Sequence, residues 1–425
     1  MLEFLLDRKH CIAFLVIGWL VRGMVYHVFP LFNDILIWAT VIWITAILIY
    51  EIIKKRIPFD AMTVILCGFL AVMVLTTVIN HTSIQKWEGM ELTDSILSII
   101  EATGLVCILF PAANYEDSES YQNYLSRLFC IVFGYVVLMA LASVILFTLY
   151  RMDIALPGGF GGADQIFTYG HLGEETRFCG LFGYSTDGGN LCALAAALGI
   201  YLYERKKLPL ILTIVCVLLL GYTIYLLDVR TSMLALLLCA MVLGVYLLGK
   251  RIGRKKAAGI ILAAAVVLIG AVLILKKGSI DHYLTLYRED PRKTLSFLTT
   301  GRSKYWEAAV LGWLEKPILG WGWLNNSYIG YYFDNHNLFF NLLLWTGAAG
   351  TGLFLLFTVL WLIQAIRKKQ NQGIGMILIL LAVFVQSMLD RAIMGSANAG
   401  VETMVFWLCA GWMIYRHNHE GIDKA

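Results

Sequence analysis

The sequence predicts an all-α integral membrane protein of about twelve transmembrane helices, with a large extracytoplasmic loop that carries an amphipathic helix. Three observations lead there. Of 425 residues, 59% are hydrophobic and only 15% are charged, against about 25% charged in soluble domains, and the mean hydropathy is +0.74. Apolar runs long enough to cross a hydrocarbon core of about 30 Å, which takes about 20 residues per helix, recur along the chain. The basic residues cluster in alternate connections between those runs. So sparse a charge excludes a soluble globular enzyme. It also excludes a disordered or nucleic-acid-binding chain, since both need dense charge. Continuous apolar runs argue against a transmembrane barrel, whose segments are short and alternating. A single polytopic domain over 1–425 accounts for the composition.

Taken in order, the spans read as 11–30, 35–53, 59–79, 94–113, 128–150, 178–203, 209–226, 232–249, 257–275, 337–366, 373–390 and 401–415. The first contains Arg22 and His27, which either line a lipid groove or form a buried structural pair. The sixth contains the polar stretch from Tyr184 to Asn190. The tenth is long enough to tilt or to begin outside the bilayer. No small-residue cleavage site follows the first run, so a retained helix is expected rather than a signal peptide.

Orientation follows from the basic residues. Lys54-Lys55-Arg56, Arg205-Lys206-Lys207, Lys250-Arg251 with Arg254-Lys255-Lys256, and Arg367-Lys368-Lys369 fall on one side. With Arg8, Lys9, Arg127, Arg416 and Lys424 that side holds nineteen, against five in the short connections of the other side: Lys86, Arg151, Arg177, Arg230 and Arg391. The positive-inside rule puts the nineteen, and both termini, in the cytoplasm. The nine cysteines all fall in predicted spans without a Cys-x-x-Cys pair, and read as small apolar packing residues.

Two outer connections stand out. Residues 151–177 include Gly158-Gly159-Phe160-Gly161-Gly162, which follows no strand and opens no helix, so flexibility explains it better than phosphate binding. Residues 276–336 form the large outer loop. Its length marks it as functional or disordered, and its Trp, Tyr and Leu content argues against disorder. Within it, Tyr305, Trp306, Ala309, Val310, Trp313 and Leu314 share one side of a helix expected over 303–315. Thr300 or Ser303 is the expected cap, and Lys316-Pro317 the expected end. A helix with two tryptophans suits the membrane interface, as a lid or shelf over the spans.

Charges at membrane depth are costly and point to function. Arg177, Arg230, Arg302 and His336 are all placed at the outer leaflet, as is Asp390-Arg391 at the end of the eleventh span. Each alone has a plainer explanation. Arg177, Arg230 and Arg391 can snorkel to headgroups, Arg302 can be a solvated loop charge, His336 a cap neighbour, and Asp390 an ion pair with Arg391. Asn190 and Asn337 read as hydrogen bonders in packing or loops. Together, however, arginine forks match phosphate oxygens, and a histidine near neutral pKa can take a proton from a sugar hydroxyl. That combination suits glycosyl transfer from a lipid diphosphate, with the arginines stabilising charge on the departing pyrophosphate. The nearest carboxylate cluster, Glu116-Asp117-Ser118-Glu119, is expected on the cytoplasmic side as a solvated connection. No metal and no cofactor is expected.

The residues in this region resemble the core signature of the O-antigen ligase/polymerase superfamily over 177–350. The matching elements are Arg177-Phe178-Cys179-Gly180-Leu181-Phe182-Gly183 with Gly189-Asn190, then Arg230, Gly301-Arg302, Trp306, Pro317-Ile318-Leu319-Gly320-Trp321-Gly322, His336-Asn337, Gly347 and Gly350. The family often has Ser-Arg where this chain has Val229-Arg230. The resemblance implies a multi-pass enzyme of the bacterial cytoplasmic membrane. It implies an undecaprenyl-diphosphate-linked glycan donor and a saccharide or glycolipid acceptor, with polysaccharide-assembly proteins as possible partners and no nucleic acid. It maps the family's key histidine onto His336, its arginines onto Arg302, Arg230 and Arg177, and an acidic residue loosely onto Asp390. A Wzy-type polysaccharide polymerase is the first expectation and an O-antigen ligase the second. A lipid-carrier flippase is the alternative from another class.

Overall fold

The computed structural model describes residues 7–25, 30–54, 61–88, 91–102, 118–152, 167–169, 176–182, 184–253, 255–264, 302–325, 335–367, 373–389 and 400–422. In chain order the helices are α1 (Arg8–Val25), α2 (Pro30–Ile53), α3 (Ala61–Ile79), α4 (His81–Glu88), α5 (Leu92–Ala102) and α6 (Ser118–Arg151). A short antiparallel pair follows, β1 (Phe167–Tyr169) with β2 (Thr176–Phe178), in which Thr168 faces Arg177. Then come α7 (Ser185–Glu204), α8 (Leu210–Leu226), α9 (Arg230–Ile252) and α10 (255–264). The last four are α11 (Arg302–Glu315), α12 (Leu338–Arg367), α13 (Ile374–Leu389) and α14 (Gly400–Ile422).

The chain is a helical membrane protein. Among the described residues, four helices are long and apolar enough to cross a bilayer: Ala61–Ile79, Ser120–Arg151, Arg230–Ile252 and Leu338–Ile363. Shorter apolar helices include Leu210–Leu226 and Ile374–Leu389. The outward faces are apolar, as a lipid-facing surface requires: Ile211 is 78% exposed and Leu218 68%. Gly158–Gly162, Arg22's side chain, His27 and most of 276–336 lie outside the described residues.

α7 is the inner helix. It packs on α6, α8, α9 and α13, and nearly every residue from Gly188 to Leu202 is buried. Without a hydrophobic drive between helices in lipid, close packing depends on small residues. α7 supplies them: a Cβ on Gly189 would stand 2.7 Å from Val229 of the α9 turn, and one on Gly199 2.8 Å from Phe133 of α6.

Four details differ from the sequence expectation. The sixth span begins at Ser185 rather than 178, because Phe178 belongs to a strand and Gly180 turns the chain at φ +56°. The β1–β2 pair is a small exception to an all-α fold. Ser303 lies inside α11 rather than at its cap, since the helix already includes Arg302; Thr300 is outside the described residues. The buried side of α11 runs through Ala309 and Gly312, and Leu314 is 58% exposed.

The tenth span is broken. Gly347 has φ 61° and ψ −163°, outside helical values. The break frees two N–H groups and two carbonyls that an unbroken helix would pair with each other. The turn 317–322 takes all four. Ala348 N–H donates to the Pro317 carbonyl at 2.8 Å and Ala349 N–H to that of Ile318 at 3.0 Å. Trp321 N–H donates to the Leu344 carbonyl at 2.8 Å and Gly322 N–H to that of Trp345 at 2.9 Å. Irregular backbone between membrane helices is tolerated only where protein satisfies it, and here backbone meets backbone. Only glycine permits this approach. A Cβ on Gly320 would lie 2.6 Å from Leu344 O, and one on Gly347 would lie 2.4 Å from Ile318 O. Both residues also have positive φ.

Gly320→Ala is therefore expected to lower the thermal unfolding midpoint in detergent, by a destabilisation of more than about 1 kcal/mol, since alanine is strained at positive φ. Gly352→Ala, where a Cβ meets nothing within 4 Å, is the control. It should be neutral or stabilising by up to about 1 kcal/mol. Equal midpoints for the two variants would contradict the docked-turn description.

Candidate functional site

The site is built around the C-terminal end of α13. The last carbonyls of a helix have no partner within it, and two side chains from distant elements meet them here. Arg302, the first residue of α11, donates through Nη1 to the Leu389 carbonyl. The Asn337 amide donates to the Met388 carbonyl at 2.6 Å. Asn337 serves a second helix as well, because its Oδ1 accepts from Phe340 N–H at 3.1 Å and so caps α12 in the usual asparagine manner.

His336 lies between anchored neighbours. One turn after Arg302, Trp306 donates Nε1–H to the Asn335 carbonyl at 2.8 Å and stacks on Phe340 with ring centroids 5.6 Å apart. The N–H and Nδ2 of buried Asn335 both donate to Asn341 Oδ1, at 3.0 and 2.9 Å. His336 itself is half-buried and has φ +48°. That left-handed conformation is uncommon outside glycine, though histidine is among the residues that tolerate it. The bonds on either side hold it there. Arg302 and His336 thus belong to one hydrogen-bonded group.

Arg230 is exposed and opens α9, after Asp228 at φ +50° and buried Val229. Val229 packs with Leu146, Phe178 and Leu227, and Phe178 sits edge-on to Phe147 at 5.0 Å. Phe178 follows Arg177 in β2, so the strand carrying Arg177 packs against the turn carrying Arg230. Just inside this turn, Ser232 Oγ donates to Asn190 Oδ1 at 2.9 Å. Gln386 Nε2 in turn donates to the Asn190 carbonyl at 3.2 Å. Gln386 is in the last turn of α13. Arg302 is therefore bonded directly to this helix end, and Ser232, two residues after Arg230, reaches α13 through Asn190 and Gln386. Asp390, Arg391 and the side chain of Arg177 lie outside the described residues.

The electrostatics of these two arginines are unusual. Both occupy the first position of a helix, and neither helix has an acid in its first turn. A cation there is opposed by the positive end of the helix, by roughly 0.3–1 kcal/mol, and an anion would reverse the sign. Lys316 is different. Its Nζ donates to Asn80 Oδ1 at 2.5 Å and stands 3.9 Å from the centre of the Trp321 ring. Burial pushes its pKa below the ordinary lysine value, against the opposing charge of Glu315. It fastens the turn after α11 to the end of α3.

Nothing in the sequence singles out Gln386, Ser232 or Asn341. They are single polar residues in apolar or asparagine-rich runs, and their partners are remote in the chain.

The fold and this geometry define a helical membrane protein in which Arg302 and the neighbour of His336 meet at one helix end, while Arg230 opens another helix. Residues 214–355, about a third of the chain, match the family model described as O-Antigen ligase, a segment that includes Arg230, Arg302 and His336. The match supports the O-antigen ligase/polymerase superfamily. No curated protein matches the chain.

Asn337→Ala removes the α12 cap and the donor to Met388 at once. Loss of an asparagine cap alone costs about 0.5–2 kcal/mol, so the unfolding midpoint should fall by at least that equivalent. A variant as stable as the parent would contradict the double role of Asn337.

Proposed function

We propose that this protein is a glycosyltransferase that moves a glycan from an undecaprenyl-diphosphate carrier to a saccharide acceptor at the outer leaflet, polymerising repeat units of a surface polysaccharide. The observation that carries this reading is the pair of arginines, each opening a helix with no acid in its first turn, with Arg302 and the His336 segment bonded to one helix end. A diphosphate at headgroup level supplies the anion such a pair favours. The proposed arrangement has twelve spans with both termini in the cytoplasm of a bacterial cytoplasmic membrane, as the basic residues indicate.

In this scheme His336 accepts the proton of the acceptor hydroxyl. The acceptor oxygen then bonds to the anomeric carbon of the donor glycan, and the bond from that carbon to the phosphate oxygen breaks. The electron pair leaves with undecaprenyl diphosphate, whose growing charge is met by Arg302 and Arg230, with Arg177 as a third contributor. Asp390 and Arg391 are secondary candidates, because they directly follow the helix end that Arg302 and Asn337 cap. The scheme uses no metal or cofactor.

The second reading is attachment of the glycan to lipid A-core. It is favoured by the description of the matched family, O-Antigen ligase. Purified protein offered lipid A-core or a second lipid-linked repeat separates the two. Transfer to the lipid-linked repeat is expected, and transfer to lipid A-core alone would replace the polymerase reading.

His336→Ala is expected to abolish polymer while lipid-linked precursor accumulates at the outer face. Precursor trapped at the cytoplasmic face would favour a flippase. Arg302→Lys keeps a donor for the Leu389 carbonyl but not the bidentate fork. Loss of a charge-assisted contact of about 1.5–3 kcal/mol predicts a drop of roughly 10- to 100-fold in kcat/KM. Full activity in that variant would reduce Arg302 to a helix cap.

A further inference from the structure

Three polar residues that join α9, α7 and α13 remain outside the proposed chemistry. Ser232 and Gln386 are 0% exposed and Asn190 is 3% exposed. A buried polar group is costly unless paired, and packing between helices does not demand one. The three nevertheless form a continuous connection, from Ser232 Oγ to Asn190 Oδ1 at 2.9 Å and from Gln386 Nε2 to the Asn190 carbonyl at 3.2 Å. Gly189 makes the connection possible by letting α7 and α9 approach, since a Cβ there would stand 3.0 Å from Ser232 Oγ. Among the described residues, Gln386 Oε1 has no hydrogen-bond partner. Gln386 thus gives one full hydrogen bond to α7 while its other polar atom goes unpaired, at a site where an apolar side chain would fill the same space.

The ends of this connection are informative. Ser232 lies two residues after Arg230. Gln386 lies three residues before Leu389, whose carbonyl holds Arg302, and two before Met388, whose carbonyl holds Asn337 beside His336. The connection is short and made of directional bonds, whereas apolar contacts are non-directional.

We propose that Gln386, through Asn190 and Ser232, is a positioning residue that fixes the spacing between Arg230 and the Arg302–His336 group, and so sets the grip on the donor diphosphate. The proposal rests on the glycosyltransferase reading and deepens it. Gln386 touches no substrate in this scheme; it acts by holding the end of α13 in register with the start of α9.

The test uses full-length protein in detergent or nanodiscs, with methylenediphosphonate as the probe. Its inhibition constant against glycan transfer does not depend on what fraction of a preparation is folded, so a merely structural defect leaves it unmoved. Gln386→Met keeps the length and removes the amide. The inhibition constant is expected to rise fivefold or more. Adding Arg302→Lys to Gln386→Met should raise it less than twofold beyond Arg302→Lys alone, because coupled residues are non-additive. An unchanged constant in Gln386→Met, or effects that multiply in the double variant, would overturn the coupling and leave the glycosyltransferase reading intact. Should Gln386→Met fail to fold, Ser232→Ala cuts the same connection at its other end and carries the same expectations. The wild type decides the underlying reading separately: if it transfers no glycan from a lipid diphosphate and ignores the diphosphonate, that reading falls, and the coupling with it.

Discussion

A helix that ends packed among other helices leaves carbonyls that donors from elsewhere in the chain can reach. In this protein that pairing, at the end of α13, fixes the relative placement of the elements that matter. Arg302 and Asn337 come to Leu389 and Met388 from two separate helices. The opposite end of α13 is treated in the same way, because the Glu204 carboxylate accepts from Ile374 N–H at 3.0 Å and Gly375 N–H at 2.8 Å. A negative group at the start and a positive one at the finish both complement the helix dipole. The partners are 170 and 87 residues away in sequence, so α13 is a pin that draws distant segments together. The site is a by-product of that pinning: the residues that cap the helix also carry the candidate chemistry.

A second constraint keeps the loop from wandering. α11 follows a long connection, and a helix there would be free to swing if it were held only by Arg302. The break at Gly347 prevents this. It turns the end of one helix segment into a socket, and the turn after α11 fills it through four backbone bonds. Further ties run from the same turn to the α3 end: Trp323 N–H donates to Thr77 Oγ1 at 3.0 Å, and Asn80 Nδ2 to the Gly320 carbonyl at 3.3 Å. α11 and the first part of α12 therefore behave as one body, which places Trp306 against Phe340 and Asn335. A catalytic histidine on a loop gains precision only if such a body supports it.

Much of this was legible in the sequence, for a physical reason. Spans are read from long apolar runs because a bilayer admits little else; among the described residues α-helices occupy most of those runs, and four are long and apolar enough to cross. The C-terminal end of α11 was legible from Lys316-Pro317, whereas its start was not, because Ser303 lies inside the helix. The glycines of the Pro317–Gly322 turn and Gly347 were visible as motif letters, but their purpose was not. It depends on two backbones meeting, and neither segment alone signals a partner. The same holds for Gln386 and Asn190, whose value lies in a contact between α13 and α7. Gly180 and Phe178 misled the reading of the sixth span, since an apolar run gives no warning of a strand and a left-handed turn within it. The roles assigned to Arg230, Arg302 and His336 rest on chemistry that no contact within the chain can display.

The two arginines also differ in a way that bears on the proposed reaction. Arg302 is half-buried and already bonded to Leu389, whereas Arg230 is exposed. Fixing a free arginine side chain sacrifices up to about 2 kcal/mol of rotamer freedom, and Arg302 has given up part of that on folding. A charge held in place stabilises a developing anion without reorganising at the moment of reaction, so Arg302 suits the bond-breaking step. In the proposed reaction Arg230 would lose its freedom only on binding the diphosphate, so its favourable energy would be partly spent on being ordered and would serve capture more than chemistry. This division is consistent with their surroundings: Arg302 and Asn337, the neighbour of the histidine that would take the acceptor proton, bond adjacent carbonyls, whereas Arg230 is exposed at the start of α9. A site built on one fixed and one adjustable cation can accept a bulky lipid-linked glycan and still present a rigid charge where the leaving group forms.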